Sequence, residues 1–276
     1  MYLLAFFCFV EPSDPTCYIV NDYMMDNALN YVKKLNEQQK EVHITLTHVF
    51  ALGAAWGIYK MRRDIGRLPW GTFKAAKKLG VTVLVDVQGG KDLVPVTIWD
   101  AHKMTIFEVA KKISERVKRA KDGKDDRHNK STQSANFVPS FIAQPCIYGL
   151  TYLAANVGLN LNFLGVKSDT FGHIVITNIG MMGYTSAFAP LCPPLHQISL
   201  LCLGKIEKRT WIDTKDEDKI KIANFMTSVA TGDHRYGDAA IMAPFFSTMK
   251  GFIDDPDNFN EKDHRDVPHY KELKDK

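Results

Sequence analysis

In the stretch Asp233-His234-Arg235-Tyr236-Gly237-Asp238-Ala239 a histidine and a carboxylate stand four residues apart. An imidazole titrates near neutral pH, so a histidine fixed at the junction of two elements can take a proton from a reacting group. His234 sits at such a junction. Ile222 to Val229 before it reads as a strand, and Ala240 to Phe252 after it reads as a helix. The same spacing is also that of an ordinary helix start. A second set of candidates is electrostatic: Lys60, Arg62, Arg63, Arg67, Lys74, Lys77 and Lys78 form a basic stretch. It is either a solvated face or a seat for phosphate groups. His43, His48, His102, His128, His173 and His196 follow no ligand spacing, so no metal is expected.

Composition narrows the classes. A chain of 276 residues with 45% hydrophobic and 24% charged residues is an ordinary globular protein of one large or two small domains. A net charge of +4 is too small to imply nucleic acid. The five cysteines, Cys8, Cys17, Cys146, Cys192 and Cys202, are odd in number and widely spaced, which suits a reducing, intracellular compartment. The apolar run from Met1 to Val10 lacks a basic leader and a small-residue cleavage site, and it is too short to span a bilayer. It reads as an edge strand or as an arm, residues 1–15, that packs on a neighbour.

The elements that must position these residues follow from periodicity. Thr16 to Asp22 reads as a strand, followed by a helix capped at Asp26 or Asn27 that repeats Leu29, Val32 and Leu35. A second helix, capped at Thr47, is apolar on all sides and should be buried. Val81 to Val87 and Val94 to Trp99 read as strands about a Gly89-Gly90 turn, with Pro95 arguing for a strand start or an edge. Thr105-Ile106-Phe107-Glu108 is a capping box that opens a helix with Ile106, Val109, Ile113 and Val117 on one face. Further strands are expected at His173–Thr177, His196–Leu203, Lys205–Ile212 and Lys221–Ala230. A closing helix should bury Ile241, Phe245, Met249 and Phe252. Residues 257–276 read as a polar tail. The class is α/β (α+β), a mixed sheet flanked by helices.

Residues 131–166 carry no charge. After Pro145, Ile147, Leu150, Ala154, Val157 and Leu161 recur as on one helical face. The segment reads as an inserted helical hairpin buried against the domain or a sister subunit. Membrane contact through 137–166 is the weaker reading, because Asn156 and Asn160 are costly in lipid and basic anchors are absent from the segment.

Several blocks, in order, give the chain a family resemblance. They are Leu79-Gly80-Val81 to Pro95-Val96, Thr105 to Ala110 with Arg119-Ala120-Lys121-Asp122-Gly123, and Ile174-Val175-Ile176-Thr177-Asn178-Ile179-Gly180. Pro193-Pro194, Leu203-Gly204 and Asp233-His234-Arg235 to Asp238 complete the set. Over residues 16–256 the chain resembles the catalytic domain of the dihydrolipoyl acyltransferases of 2-oxo acid dehydrogenase complexes, a domain that shares its fold with chloramphenicol acetyltransferase. Thr177 stands where the complexes usually have serine, and Ala239 where the signature has glycine. The sequence shows no lipoyl domain, swinging linker or subunit-binding domain. With the insertion, it looks more like the short free-standing relatives.

The resemblance implies acyl transfer between coenzyme A, as substrate, and a dihydrolipoyl-like thiol, with no covalent lipoyl group on this chain. In it His234 is the general base, Thr177 the oxyanion donor, and Asp238 fixes local geometry, for instance by pairing with Arg235. Arg63, Arg67 and Lys74 would meet the coenzyme A phosphates; Asn178, in the same motif as Thr177, is counted with the cofactor-binding residues and would also support the loop. Thr177 also suits an ordinary strand threonine. The family implies a homotrimer, with the histidine of one subunit meeting donors of its neighbour. It further implies a lipoyl-bearing protein or larger assembly in trans, and either the mitochondrial matrix or the cytoplasm. The alternative is a catalytically degenerate subunit with a structural or scaffold role.

Overall fold

A computed structural model describes residues 15–68, 72–87, 93–122, 140–154, 171–191, 197–214 and 216–259, with positions 159 and 161. The expected turn at Gly89-Gly90, the arm at 1–14 and the tail from 260 lie outside the described residues.

The main sheet has the strand order β1-β8-β7-β6-β4-β5. Its strands are β1 (Thr16–Met24), β4 (Gly80–Asp86), β5 (Leu93–Trp99), β6 (Ile174–Asn178), β7 (Ser199–Asp213) and β8 (Lys219–Asp233). β4, β6 and β7 run parallel, while β1, β5 and β8 run against their neighbours. A second pair, β2 (Gly66–Arg67) and β3 (Lys74–Ala75), stands apart. The expected mixed sheet is therefore present, and Pro95 lies on the edge strand β5, where its missing N–H costs no central ladder bond.

The helices are α1 (Asp26–Gln38), α2 (Leu46–Lys60), α3 (Ile106–Lys121), α4 (Ser140–Tyr152) and α5 (Ala239–Asp254). α1, α2, α3 and α5 join one face of the sheet in a single core containing Tyr23, Phe50, Trp56, Val83, Ile176, Leu203, Met226, Phe245 and Met249. α2 is buried from His48 to Ile58, as its all-round apolar sequence requires. Gly57 lets α5 come close: a β-carbon there would lie 2.5 Å from the Phe245 ring. Among the described residues no helix is long and apolar enough to cross a membrane.

Two helix starts differ from the sequence expectation. α2 is capped by Thr45, not Thr47, in a capping box whose third residue is His48. The Thr45 N–H donates to His48 Nδ1 at 3.0 Å. Histidine is not the usual residue there, which hid the box in the sequence. α1 starts after Met25 with no side-chain cap, because the Asp26 carboxylate is engaged elsewhere. It accepts from Asn224 Nδ2 at 2.6 Å and from Asn224 N at 3.1 Å, tying α1 to β8.

The strands expected at His196–Leu203 and Lys205–Ile212 are one strand, β7, interrupted by a bulge. Leu203 faces Ser228 and Ile206 faces Met226, so β7 carries one extra residue at Gly204-Lys205. The extra residue reverses which side chains face the helices. Leu201 and Leu203 enter the core before the bulge, and Ile206 packs against it afterwards.

Only part of the insertion is described. α4 is a helix with Pro145 inside it. Leu150 is half-buried and Ala154 buried, whereas Tyr148 and Tyr152 are 47% and 46% exposed.

Candidate active site

His234 follows directly on the last residue of β8, in a turn secured on several sides. Its backbone N–H donates to Pro15 O at 2.9 Å, and Tyr236 N–H donates to Asp233 O at 3.0 Å. Asp233, only 7% exposed, has its carboxylate held by Arg235. Arg235 Nε donates to Oδ1 at 3.0 Å and Nη2 to Oδ2 at 2.6 Å, while Arg235 N–H also donates to Oδ1 at 3.0 Å. A buried carboxylate is stable only with such partners. Cys17, on the neighbouring β1, donates its Sγ–H to Gly232 O at 3.4 Å. Burial first, and the Asp233 charge second, push the Cys17 thiol up; burial does the same to Cys202. Both stay protonated at neutral pH and are poor nucleophiles.

Asp238 does not pair with Arg235. It is the N-cap of α5, accepting from Ile241 N–H at 2.9 Å. Arg235 instead takes Asp233, two residues before it, because that carboxylate is buried and needs compensation. The charged helix-start pattern was legible; which aspartate held the arginine was not.

Thr177 stands near the end of β6. Ile174 and Ile176 point into the helical core, so alternation puts Thr177 on the opposite face with Val175. It is half-buried. The next residue, Asn178, faces the helices: its Nδ2 donates to Thr47 Oγ1 at 3.2 Å, and its Oδ1 accepts from Gly180 N–H at 3.0 Å. Thr47 thus belongs to the support of this turn, a role its sequence position did not reveal. The turn also packs closely on the β7 bulge. A β-carbon on Gly180 would lie 2.6 Å from Gly204 O, and one on Gly204 would run into Thr185 O.

The single chain keeps the two candidate groups apart. Thr177 is level with Cys202 on β7 and through it with Val229 on β8. His234 lies five residues beyond Val229 and two strands across. At ~3.3 Å per residue and ~4.8 Å per strand the separation is about 19 Å. The histidine is at the sheet end where β6 begins, and the threonine at the end where β6 stops.

The expected coenzyme A set is also divided. β2 and β3 place Arg67 directly opposite Lys74, and Arg63 lies just before them, with Arg63 and Lys74 exposed. Asn178 is tied to Thr47, near the other end of the 15-residue α2. At ~1.5 Å per residue the basic residues are about 20 Å from it along that helix. The cations Arg63, Arg67 and Lys74 suit a phosphate by chemistry; Asn178 serves the Thr177 turn.

His173, one of the unassigned histidines, is a buried structural residue whose Nδ1 accepts from Gly80 N–H at 3.1 Å. Among the described residues no group of His, Cys, Asp or Glu could hold a metal ion.

Residues 164–260 match the family model of the 2-oxoacid dehydrogenases acyltransferase (catalytic domain). The chain resembles the catalytic domain of these acyltransferases. It is 23% identical over 247 residues to the dihydrolipoyllysine-residue acetyltransferase component of pyruvate dehydrogenase complex from Rickettsia felis, covering 88% of this chain and 48% of that protein. The chain thus spans about half the length of the curated relatives it matches. Its fold is similar to a probable dihydrolipoamide acetyltransferase from Listeria monocytogenes, with a TM-score of 0.65, 14% identity and coverage of 90% and 88%. It is also similar to Azotobacter vinelandii dihydrolipoamide acetyltransferase, with a TM-score of 0.63, 12% identity and coverage of 92% and 87%. The latter structure was solved to define the role of a serine, a histidine and an asparagine in the catalytic mechanism. In this acyltransferase-like chain the family-model region contains Thr177, the β7 bulge and the His234 turn together.

Proposed function

We propose that this chain transfers an acyl group between coenzyme A and a dihydrolipoyl-like thiol, in a site completed by two copies of the chain. His234 of one copy takes the thiol proton, so that sulfur attacks the thioester carbon. Thr177 of the other copy donates its hydroxyl to the oxyanion that forms there. The observation that carries this reading is the separation of about 19 Å between two half-buried polar groups at opposite ends of one sheet. A base and an oxyanion donor must both lie within about 3 Å of the reacting atoms, so one copy cannot serve alone. The Azotobacter enzyme, whose catalytic mechanism was investigated through a serine and a histidine among other residues, is consistent with a hydroxyl and an imidazole as the working pair. Threonine keeps the hydroxyl that serine would supply.

The rest of the chain suits this chemistry. Asp233 and Arg235 hold the turn that carries the imidazole. Arg63, Arg67 and Lys74 offer cations for the phosphates of coenzyme A, and the cysteines Cys17 and Cys202 are too strongly protonated to compete as nucleophiles. A homotrimer meeting a lipoyl-bearing protein in trans is the assembly proposed, in the mitochondrial matrix or the cytoplasm.

Complementation tests it directly. His234→Ala and Thr177→Val are each expected to lower acetyl transfer from acetyl-coenzyme A to dihydrolipoamide, by on the order of 10³-fold and 10²-fold. When the two inactive variants are co-refolded in equal amounts, about one quarter of the sites should contain both native residues, and activity should return to about that fraction. No recovery would defeat the shared site. Equal background rates for the native chain and His234→Ala would leave the degenerate, structural reading.

A further inference from the structure

The helix-facing side of β1 and β8 carries three polar side chains close together. Ile19 and Tyr23 on β1, and Met226 and Ala230 on β8, pack into the helical core, so alternation puts Asn21 and Ser228 on the same face. The register sets Asn21 directly opposite Ser228, with Tyr23 two residues along and opposite Met226. Opposed side chains start about 5 Å apart and diagonal ones about 7 Å, within reach of a tyrosine. Tyr23 is 1% exposed and Ser228 0%. Phe50 of α2 closes edge-on against the Tyr23 ring, with 5.5 Å between centroids. In this setting Asn21 Nδ2, Tyr23 OH and Ser228 Oγ are buried without a hydrogen-bond partner in the chain. Burial pushes the Tyr23 hydroxyl up, Ser228 draws it part of the way back, and the Asp254 charge pushes it further. Tyr23 and Ser228 are therefore near neighbours, though no hydrogen bond of good geometry joins them. Each buried polar group left unpaired weakens the folding equilibrium by on the order of ten-fold, and folded cores rarely leave three together.

We propose that Asn21, Tyr23 and Ser228 form an internal binding site for a single water molecule. The donor set selects the ligand. The amide nitrogen only donates, while each hydroxyl donates or accepts. A water accepts from the amide and from one hydroxyl and donates to the other, making the three bonds usual for an internal water. A metal cation or an ammonium ion offers the amide no lone pair, and an anion would face the Asp254 charge. The site also has a mechanical consequence. Asn21 and Tyr23 belong to the edge strand β1 and Ser228 to its neighbour β8, so the water ties the edge strand to the sheet through side chains, in addition to the backbone ladder. None of this depends on the shared-site reading.

The test joins a high-resolution crystal structure of the full chain to urea melts of two conservative variants. The map should show one ordered water within about 3 Å of Asn21 Nδ2, Tyr23 OH and Ser228 Oγ. Tyr23→Phe and Ser228→Ala each take one partner from that water, and each should raise the unfolding equilibrium constant by about five-fold. Both act through the same molecule, so the double variant should lose clearly less than the product of the two single losses. A dry core gives the reverse pattern: phenylalanine keeps the ring and removes an unpaired hydroxyl, so Tyr23→Phe would be at least as stable as the native chain. That result would overturn the proposal. So would a map with no water at the three atoms, a direct Tyr23–Ser228 hydrogen bond that closes the site, or single losses that simply multiply in the double variant. Acyl transfer should be unchanged in Tyr23→Phe, so the fate of the water site and that of the catalytic reading are measured separately.

Discussion

The two ends of the sheet hold their candidate residues by different means. The His234 end is a surface turn kept in place by polar bonds: the Arg235–Asp233 ion pair, the Asp238 cap and a backbone bond to Pro15. The Thr177 end is a strand in the middle of the sheet, pressed between α2 and the β7 bulge, where the tolerances are set by backbone contact at Gly180 and Gly204. The comparison teaches that a catalytic base can sit in an adjustable polar turn, whereas an oxyanion donor benefits from a site that cannot reorganise as charge develops.

The contrast can be broken first at the rigid end. Gly204→Ala would drive a methyl group into Thr185 O, and a loss of about 3 kcal/mol in denaturant stability is expected. A variant as stable as the native chain would show that this end yields.

A pH titration sharpens the same side. Burial, and then the charge of His43, pull the His48 pKa down to about 4. The unfolded chain, with an ordinary imidazole, then binds more protons than the folded one between about pH 6.5 and pH 4. Stability attached to His48 is complete above that window and lost as pH falls through it, by on the order of 3 kcal/mol at pH 4. Urea melts of the native chain and His48→Gln should therefore converge as the solution is acidified. Parallel curves would remove His48 from the balance.

The polar end should respond less in stability. Arg235→Ala leaves a buried carboxylate without its partner, but water reaches the arginine side, so about 2 kcal/mol is expected. Transfer activity should fall more than stability alone requires, because the turn carrying His234 loosens. Asp238→Ala removes one helix cap and should cost about 1 kcal/mol, with Asp238→Asn nearly neutral in melts. An Asp238→Asn loss of activity with native stability would return Asp238 to a chemical role.

Much of this arrangement was legible in the residues. Alternation and β-branched runs located the strands, the Thr105–Glu108 box opened α3 where expected, and the apolar α2 was buried. The ordered motifs brought Thr177 and His234 forward together. The bulge was not legible: Gly204 between two strand-like runs looks like a turn, and only the partner strand shows that pairing resumes one residue out of step. The Asp233–Arg235 pair and the Thr45–His48 box depend on burial and on the third dimension, which spacing does not carry. Asn178, read both as a cofactor-binding residue and as a support of its loop, does hold the Thr177 turn through Gly180 N–H, and its alternation points it to the helices.

The one-residue excess at Gly204-Lys205 makes β7 a ruler with two phases. Upstream, its odd-numbered side chains Leu201 and Leu203 face the helical core; downstream, the even-numbered ones lie on that side, Ile206 packed against the core and Lys208, Thr210 and Ile212 exposed. Deleting Lys205 would restore a single phase and turn Glu207 and Arg209 to the helix side of the sheet while sending Ile212 to the far side. The length of this segment is therefore under tighter constraint than its composition, and homologous chains that keep the projecting strands should keep the extra residue with them.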